Sequence, residues 1–424
     1  MTRESKCATV SVLLPTFNRA AFIGAAIESI LRQSHRPHEV IVLDDGSTDE
    51  TRAVCAAYAP EVTYLRADHN QGKSAAINRG LIQATGEFIW AMDDDDIAPP
   101  HALETLLAPL RQRPDAGFSF GQLLKFTEDA DGRRAFEPLA TPASDTRPLF
   151  VRLMEDCFIT GQPCTLIRRA CFDAIGPVDE TVLASVDYNI LLQVARRFEG
   201  CDVGKVVLWQ RQHSGLRGPQ QLRYRESQRN KRWQLFDNRL LGDLLPNLAL
   251  EELIRGPAAG RDLTTSERRR AYFQKAVIAA RKDLWDIVFA SLARARAVSL
   301  DPLDAQDRSI LSRMLGSRYG IDVFLGVAQI QRRLCDAAGD DETGVEIRAA
   351  VAALLPYHIG QALKDRDPKR AILSAAALCR VLGTLAALQL ALDKLSQKLE
   401  AHGLLRALAP QRRHSHAGGP FDRN

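Results

Sequence analysis

Phe88-Ile89-Trp90-Ala91-Met92-Asp93-Asp94-Asp95-Asp96-Ile97-Ala98-Pro99-Pro100 holds the key to the fold. The first five residues have the length and the aromatic and β-branched content of a buried strand. Four carboxylates follow in a row, and two prolines close the stretch. The carboxylates therefore belong at the carboxyl end of a strand, the edge where open α/β sheets bind ligands. Four adjacent carboxylates repel one another unless a cation or hydrogen-bond donors offset the charge. Mg²⁺ and Mn²⁺ suit such oxygen ligands, usually with one or two carboxylates and the rest from substrate phosphates. The plainer alternative is a solvated acidic turn that caps the next helix.

The residues upstream favour the first reading. Thr9–Leu14 is strand-like and ends at Pro15, with a loop at Thr16–Arg19 and helical spacing over Ala20–Arg32. Glu39–Leu43 is a second strand, ending in Asp44-Asp45-Gly46-Ser47 before a helix at Thr48–Tyr58. Val62–Leu65 is a third, followed by the polar Asp68–Gly72 loop and a helix over Lys73–Ala84, with Gly86 placed as its C-cap. Such alternation predicts a parallel sheet with helices on both faces. Pro15–Asn18, Asp44–Ser47 and Asp93–Asp96 should then converge on one edge. Asp44 itself reads better as a turn cap than as a ligand.

Two nucleotide-binding alternatives fit poorly. No G-x-G-x-x-G follows the first strand. Ala67–Ser74 imitates a P-loop, but Asp68 would set a negative charge beside the phosphates and Gly72 is its one glycine. Lys73 and Arg79 still offer positive charge to a diphosphate.

Five motifs taken together carry a resemblance. Val12–Asn18, Val42–Asp49, Asn70-x-Gly72 with Ala76-x-Asn78-x-Gly80, Ala84-x-Gly86-Glu87, and Asp93-x-Asp95-Asp96 closely resemble glycosyltransferase family 2, of the GT-A fold, over roughly the first 215 residues. The resemblance implies an inverting transfer from a nucleotide-diphospho-sugar, a UDP-sugar above all, with a divalent cation, Mg²⁺ or Mn²⁺. It places Asp45 on the pyrimidine base and Pro15, Thr16, Phe17 and Asn18 along base and ribose. Asp93 resembles the ribose-side and Asp95 the metal-side member of the D-x-D. Phe17 stands where the family often has Tyr. Asp96 would hold the loop or the acceptor.

Further along, Gln162–Arg169 resembles a family strand ending in an arginine pair, and Phe172–Glu180 the turn after it. Ser185–Leu192 resembles the helix start whose Asp is commonly the general base, which makes Asp187 the catalytic candidate. Its alternative is an N-cap for a helix over Tyr188–Phe198. Val186 and Gln193 depart from the family pattern. Trp209–Gly215 resembles the close of the catalytic domain. There His213 is a candidate for the metal or the diphosphate, and Arg211 for a phosphate or a structural salt bridge.

The 424-residue length implies two or three domains. A composition of 46% hydrophobic and 25% charged residues is that of a globular protein. The net charge of +4 gives no argument for nucleic acid. Eight scattered cysteines, without C-x-x-C or zinc spacing, fit reduced thiols and a cytoplasmic setting. No apolar segment of secretory type precedes the first strand. Beyond Leu222, Ala, Leu and Arg recur at helical spacing over 223–242, 265–297, 304–316, 345–364 and 369–399, with a single tetratricopeptide-like hairpin near 271–301 and a hinge at Gly339–Gly344. Ala371–Leu392 is apolar, but Arg380 at its centre argues for a buried or partner-facing helix over a membrane span.

The expected organisation is a GT-A catalytic domain over 1–222, a helical domain over 223–410 and a disordered tail over 411–424. The expected partners are a nucleotide-sugar and a carbohydrate or lipid-linked acceptor in cell-envelope polysaccharide or glycoconjugate synthesis. Association with the inner membrane surface and pairing through the helical part stay open. The rival reading is a sugar-nucleotide-binding or scaffold protein that keeps the fold without turnover. A nucleotidyltransferase lacks support, since Pro15-Thr16-Phe17 stands where its Gly-rich loop would.

Overall fold

In the computed structural model, the Phe88–Ala91 strand is buried along its whole length and lies inside an eight-stranded sheet. The structure describes residues 8–139, 145–213, 229–256, 262–316 and 320–390. In chain order the first elements are β1 (Val10–Thr16), α1 (Ala20–Leu31), β2 (Glu39–Asp44), α2 (Thr51–Ala56), β3 (Thr63–Arg66), α3 (Lys73–Gln83), β4 (Phe88–Ala91) and α4 (Ala102–Gln112). Then follow β5 (Phe118–Glu128), β6 (Arg134–Phe136), α5 (Leu149–Glu155), β7 (Thr165–Arg168), α6 (Arg169–Ile175), α7 (Val186–Ala195) and β8 (Gly200–Arg211). The sheet order is β3-β2-β1-β4-β7-β5-β6, with β8 also paired to β5.

The strands β3, β2, β1 and β4 run parallel, as the alternation predicts. Past β4 the sheet is mixed, so it is mostly but not wholly parallel: β8 runs parallel to β5. β7 runs antiparallel to both of its neighbours, β4 and β5, and the β5–β6 hairpin is antiparallel as well. An antiparallel neighbour needs no crossover helix, so the βα rhythm lapses there. The central strands are buried on both faces, which is why β1 and β2 read as unbroken apolar runs.

Gly86 is not the helix cap expected of it. Helix α3 ends at Gln83, and Ala84 caps it in extended conformation. What Gly86 supplies is room: a Cβ there would lie 2.6 Å from the backbone nitrogen of Ser11. Glu39 braces the same region, accepting from Ser11 Oγ at 2.6 Å and from Thr85 N at 2.7 Å.

The described chain divides into two compact units near residue 300, later than the composition shift at 222 suggests. The helices α8 (Arg229–Leu244), α9 (Glu252–Arg255), α10 (Thr265–Arg281) and α11 (Trp285–Val298) belong to the first unit with the sheet. The helical stretch expected over 265–297 is a hairpin, as its tetratricopeptide-like spacing suggests, and it turns at Asp283, whose φ is +61°. A capping box opens α10, with Thr264 and Glu267 each accepting from the other's backbone N–H. Gln274 and Arg281 of this hairpin hold Glu155 at the end of α5, at 2.6 and 3.0 Å.

The second unit contains α12 (Ala305–Ser312), α13 (Gly320–Gly326), α14 (Ala328–Ala338), α15 (Glu342–Ala352), α16 (Leu355–Lys364) and α17 (Pro368–Leu382). Helices α13 and α14 had no forecast, and the helix expected over 345–364 is two. The Gly339–Gly344 stretch is a tight corner in place of a hinge. Asp341 caps α15 through Gly344 N at 2.8 Å, and a Cβ on Gly344 would strike the Gly339 carbonyl. The helix expected over 369–399 stops at Gly383, φ +81°, and a second piece at Thr384–Leu390 leaves at 116°. No single described helix is long and apolar enough to cross a membrane; only that bent pair together has the length and composition. The seven described cysteines are all free. The expected tail over 411–424 lies outside the described residues.

Candidate active site

The loops after β1, β2 and β4 meet at the carboxyl edge of the parallel strands and wall a cleft of about 540 Å³. Pro15, Thr16, Phe17 and Asn18 line it, with Asp45, Lys73, Asp93, Asp95 and Asp187. These nine residues, all singled out from sequence, thus share one cavity, whereas Arg79, Asp96 and Arg211 do not line it. His213 reaches the same place through Asp95: its Nε2 lies 3.0 Å from the Asp95 carboxylate.

The loop geometry follows from local chemistry. Asp44 stays out of the cleft and caps its own turn, accepting from Ser47 N at 2.8 Å and from the Tyr64 hydroxyl. Gly46 sits at φ +82°, and a Cβ on it would lie 2.9 Å from the backbone carbon of His69. Asn18, at φ +54°, accepts from Thr48 N at 2.7 Å, while its own N–H donates to Ser47 Oγ at 2.9 Å. The first two loops are therefore stitched together. Asp45 is buried and accepts from the backbone N–H groups of Gln71 and Gly72 at 3.0 and 2.7 Å. Arg79 stands 3.6 Å from it.

The four aspartates part company. Asp93 pairs with Lys73 at 2.5 Å. Asp94 and Asp95 face Arg19, at 3.6 and 4.0 Å. Asp96 turns inward and accepts from Arg211 N at 2.9 Å. Arg211 also donates to the Asp95 carbonyl at 3.1 Å and pairs with Glu128, so it braces the loop and the salt-bridge alternative is the one realised. His213 stacks on Phe22 with ring centres 5.1 Å apart.

These charges perturb one another. Burial pushes the Asp94 carboxyl up, Asp95 adds to it, and Arg19 pulls back; the balance lies at about 7. Burial also raises Asp187 above the ordinary carboxylate range, against the pull of the Lys73 ammonium. Burial opposes the charge on Lys73 itself, but Asp93, and then Asp187, more than offset it and hold the amine above the ordinary lysine range.

Asp187 lies in the first turn of α7, and the N-cap is Ser185, not Asp187. Two contacts from α3 fix the segment that leads there. Ser74 Oγ donates to the Val182 carbonyl at 3.1 Å. Asn78 donates to the Val178 carbonyl at 2.9 Å and accepts from Val178 N at 2.8 Å. The arginine pair proves structural: Arg168 donates to the carbonyls of Ala116 and Leu110, and Arg169 to that of Ala84.

Among the described residues no three His, Cys, Asp or Glu side chains form a preformed cation cage. Asp95 and His213 are in contact, whereas the expected third member, Asp93, is engaged by Lys73. The donor chemistry nevertheless fits the expected ion. A carboxylate and an imidazole suit Mn²⁺, and a site short of protein ligands leaves positions for diphosphate oxygens.

Residues 11–176 match the model of the family described as Glycosyl transferase family 2. This part of the chain is a family 2 glycosyltransferase domain. Its architecture is α/β around a mixed sheet, and the region after it is mainly helical. The family 2 domain is similar to the glycosyltransferase GlyG of Streptococcus pneumoniae, 32% identical over 130 residues, covering 30% of this chain and 42% of that protein. It is also similar to the GalNAc(5)-diNAcBac-PP-undecaprenol beta-1,3-glucosyltransferase of Campylobacter jejuni, 37% identical over 121 residues, covering 27% of this chain and 38% of that protein. The chain thus spans less than half the length of these two relatives. Among solved structures it resembles the mannosyltransferase PcManGT of Pyrobaculum calidifontis in complex with GDP-Man and Mn2+, at 18% identity and a TM-score of 0.47, covering 90% of this chain and 88% of that one.

Asp187 and His213 lie beyond the matched stretch. Sequence reasoning missed Arg19, Asn70, Ser185 and Trp233, all of which line the cleft. Asn70 and Ser185 open motifs named above and Arg19 adjoins one, but none of the three was given a role. Trp233, in α8, carries no local signal and lies past the expected domain boundary.

Proposed function

We propose that the chain transfers a sugar from a nucleotide-diphospho-sugar, a UDP-sugar, to an acceptor hydroxyl with inversion at the anomeric carbon. The observation that carries this reading is the meeting of Asp45, Asp93, Asp95, Lys73 and Asp187 on one cleft. Asp45 would accept the base N–H, with Phe17 and the Pro15–Asn18 loop against base and ribose. Asp93 and Lys73 would flank the ribose and the diphosphate. Asp95, with His213, would hold a divalent cation, which when bound neutralises charge on the departing diphosphate.

Asp187 would take the proton from the acceptor hydroxyl as its oxygen bonds to the anomeric carbon and the bond to the diphosphate oxygen breaks. Burial that lifts its basicity suits that role. A lipid-linked glycan is the acceptor we favour, because the Campylobacter relative is named for an undecaprenol-linked one. Such an acceptor would draw the chain to the inner face of a membrane.

A panel of nucleotide-sugars, scored for release of nucleotide diphosphate with and without Mn²⁺, tests the reading. We expect metal-dependent hydrolysis of one donor. Turnover that survives both Asp95→Ala and Asp187→Ala would remove the mechanism.

A further inference from the structure

The corner that carries Asp187 is also held from the far side, by residues outside the family 2 match. Ser185, two residues before Asp187, adopts φ +56°, a conformation that non-glycine residues keep only where their surroundings impose it. Its side chain does not cap its own helix. The hydroxyl donates instead to Asp237 Oδ1 in α8, at 3.1 Å. The other oxygen of Asp237 accepts from Lys282 Nζ at 3.1 Å. This ion pair is buried, its side chains only 2% and 7% exposed. The Lys282 ammonium also stands 4.9 Å from the ring centre of Tyr188, the residue after Asp187, and the Tyr188 hydroxyl donates to the Leu153 carbonyl at 2.7 Å. The pair therefore touches the chain on both sides of Asp187.

A buried ion pair is a poor device for stability, since desolvation consumes most of its attraction. It is a good device for fixing one geometry, because neither charge can leave without exposing the other. We propose that Lys282 and Asp237 are positioning residues that aim Asp187 into the cleft through Ser185. This rests on Asp187 being the base proposed above. Asp237 and Lys282, both past residue 222, would then contribute to catalysis without touching substrate.

Ser185→Ala is the decisive variant, because it cuts the link and leaves the ion pair whole. Its kcat should fall about tenfold, the scale of a small misplacement of a reacting group. Its donor KM should stay within about twofold of wild type and its Tm should barely move. Lys282→Arg, which keeps the charge and a donor, should retain most of the rate, and Lys282→Met should not; should Lys282→Met fail to fold, Ser185→Ala decides. A Ser185→Ala enzyme with wild-type kcat overturns the proposal, as does a loss of rate matched by a loss of Tm. If the wild-type chain turns over no nucleotide-sugar at all, the functional reading falls and takes this proposal with it. Wild-type turnover beside an unaffected Ser185→Ala removes the proposal alone.

Discussion

Lys73 balances the charges of the cleft: it pairs with Asp93 at 2.5 Å, and its field holds back the rise in basicity that burial imposes on Asp187. A base works only when ionised. A raised carboxyl therefore loses activity at a higher pH than an ordinary one as the solution is acidified. The acid limb of kcat/KM should accordingly lie above the usual carboxylate range near 4. Lys73→Met removes the restraint, so that limb should move to still higher pH in a rate profile. Asp187→Ala should lower kcat by about 10²-fold or more with little change in donor KM. At this scale much was legible. Asp45, Asp95 and Asp187 were found because each ends a strand or begins a helix within a short motif. That Asp93 would turn to Lys73 and Asp96 to Arg211 was not legible. Four identical side chains in a row carry no mark of which partner folding will bring to each.

Helix α3 is the element that ties the loops after β2 and β4 to the Asp187 corner. Lys73 and Ser74 stand at its start, and Asn78 clamps Val178 one turn later. Asn78→Ala should cost about 1–3 kcal/mol, since it strands buried backbone partners. The loss would appear as a lower denaturant midpoint with an unchanged slope. Gly86→Ala should cost a similar amount, about 1–3 kcal/mol of overpacking, because the atom its Cβ meets is backbone and cannot swing aside. The alternation of strands and helices up to β4 was readable from periodicity. The antiparallel β7 was not, because a short apolar run has no direction written in it. The break at Gly383 was also hidden: helical spacing continues across it, and only the turn shows where the chain changes direction.

On the scale of the molecule, the division near residue 300 means that α8, α10 and α11 belong with the sheet. A chain cut after residue 222 would lose Trp233 from the cleft wall, the partner of Ser185, and Gln274 and Arg281, which donate to Glu155. We expect such a fragment to be insoluble or to unfold without a cooperative transition. A chain ending at Ser299 should unfold cooperatively and keep donor hydrolysis. Circular dichroism melts of the two fragments, with a hydrolysis assay of the longer one, check both statements.

The amino-acid order by itself determined the class of fold, the edge of the sheet where the loops form a cleft, and the carboxylates that gather there. Those features depend on residues close together in the chain, where strand ends and helix starts leave a periodic and chemical signature. Tertiary structure alone decided which partner each carboxylate takes, where the first compact unit ends, and that Asp237 and Lys282, 52 and 97 residues beyond Ser185, are its support. Pairings over such distances are selected by packing, and no window of sequence contains both members.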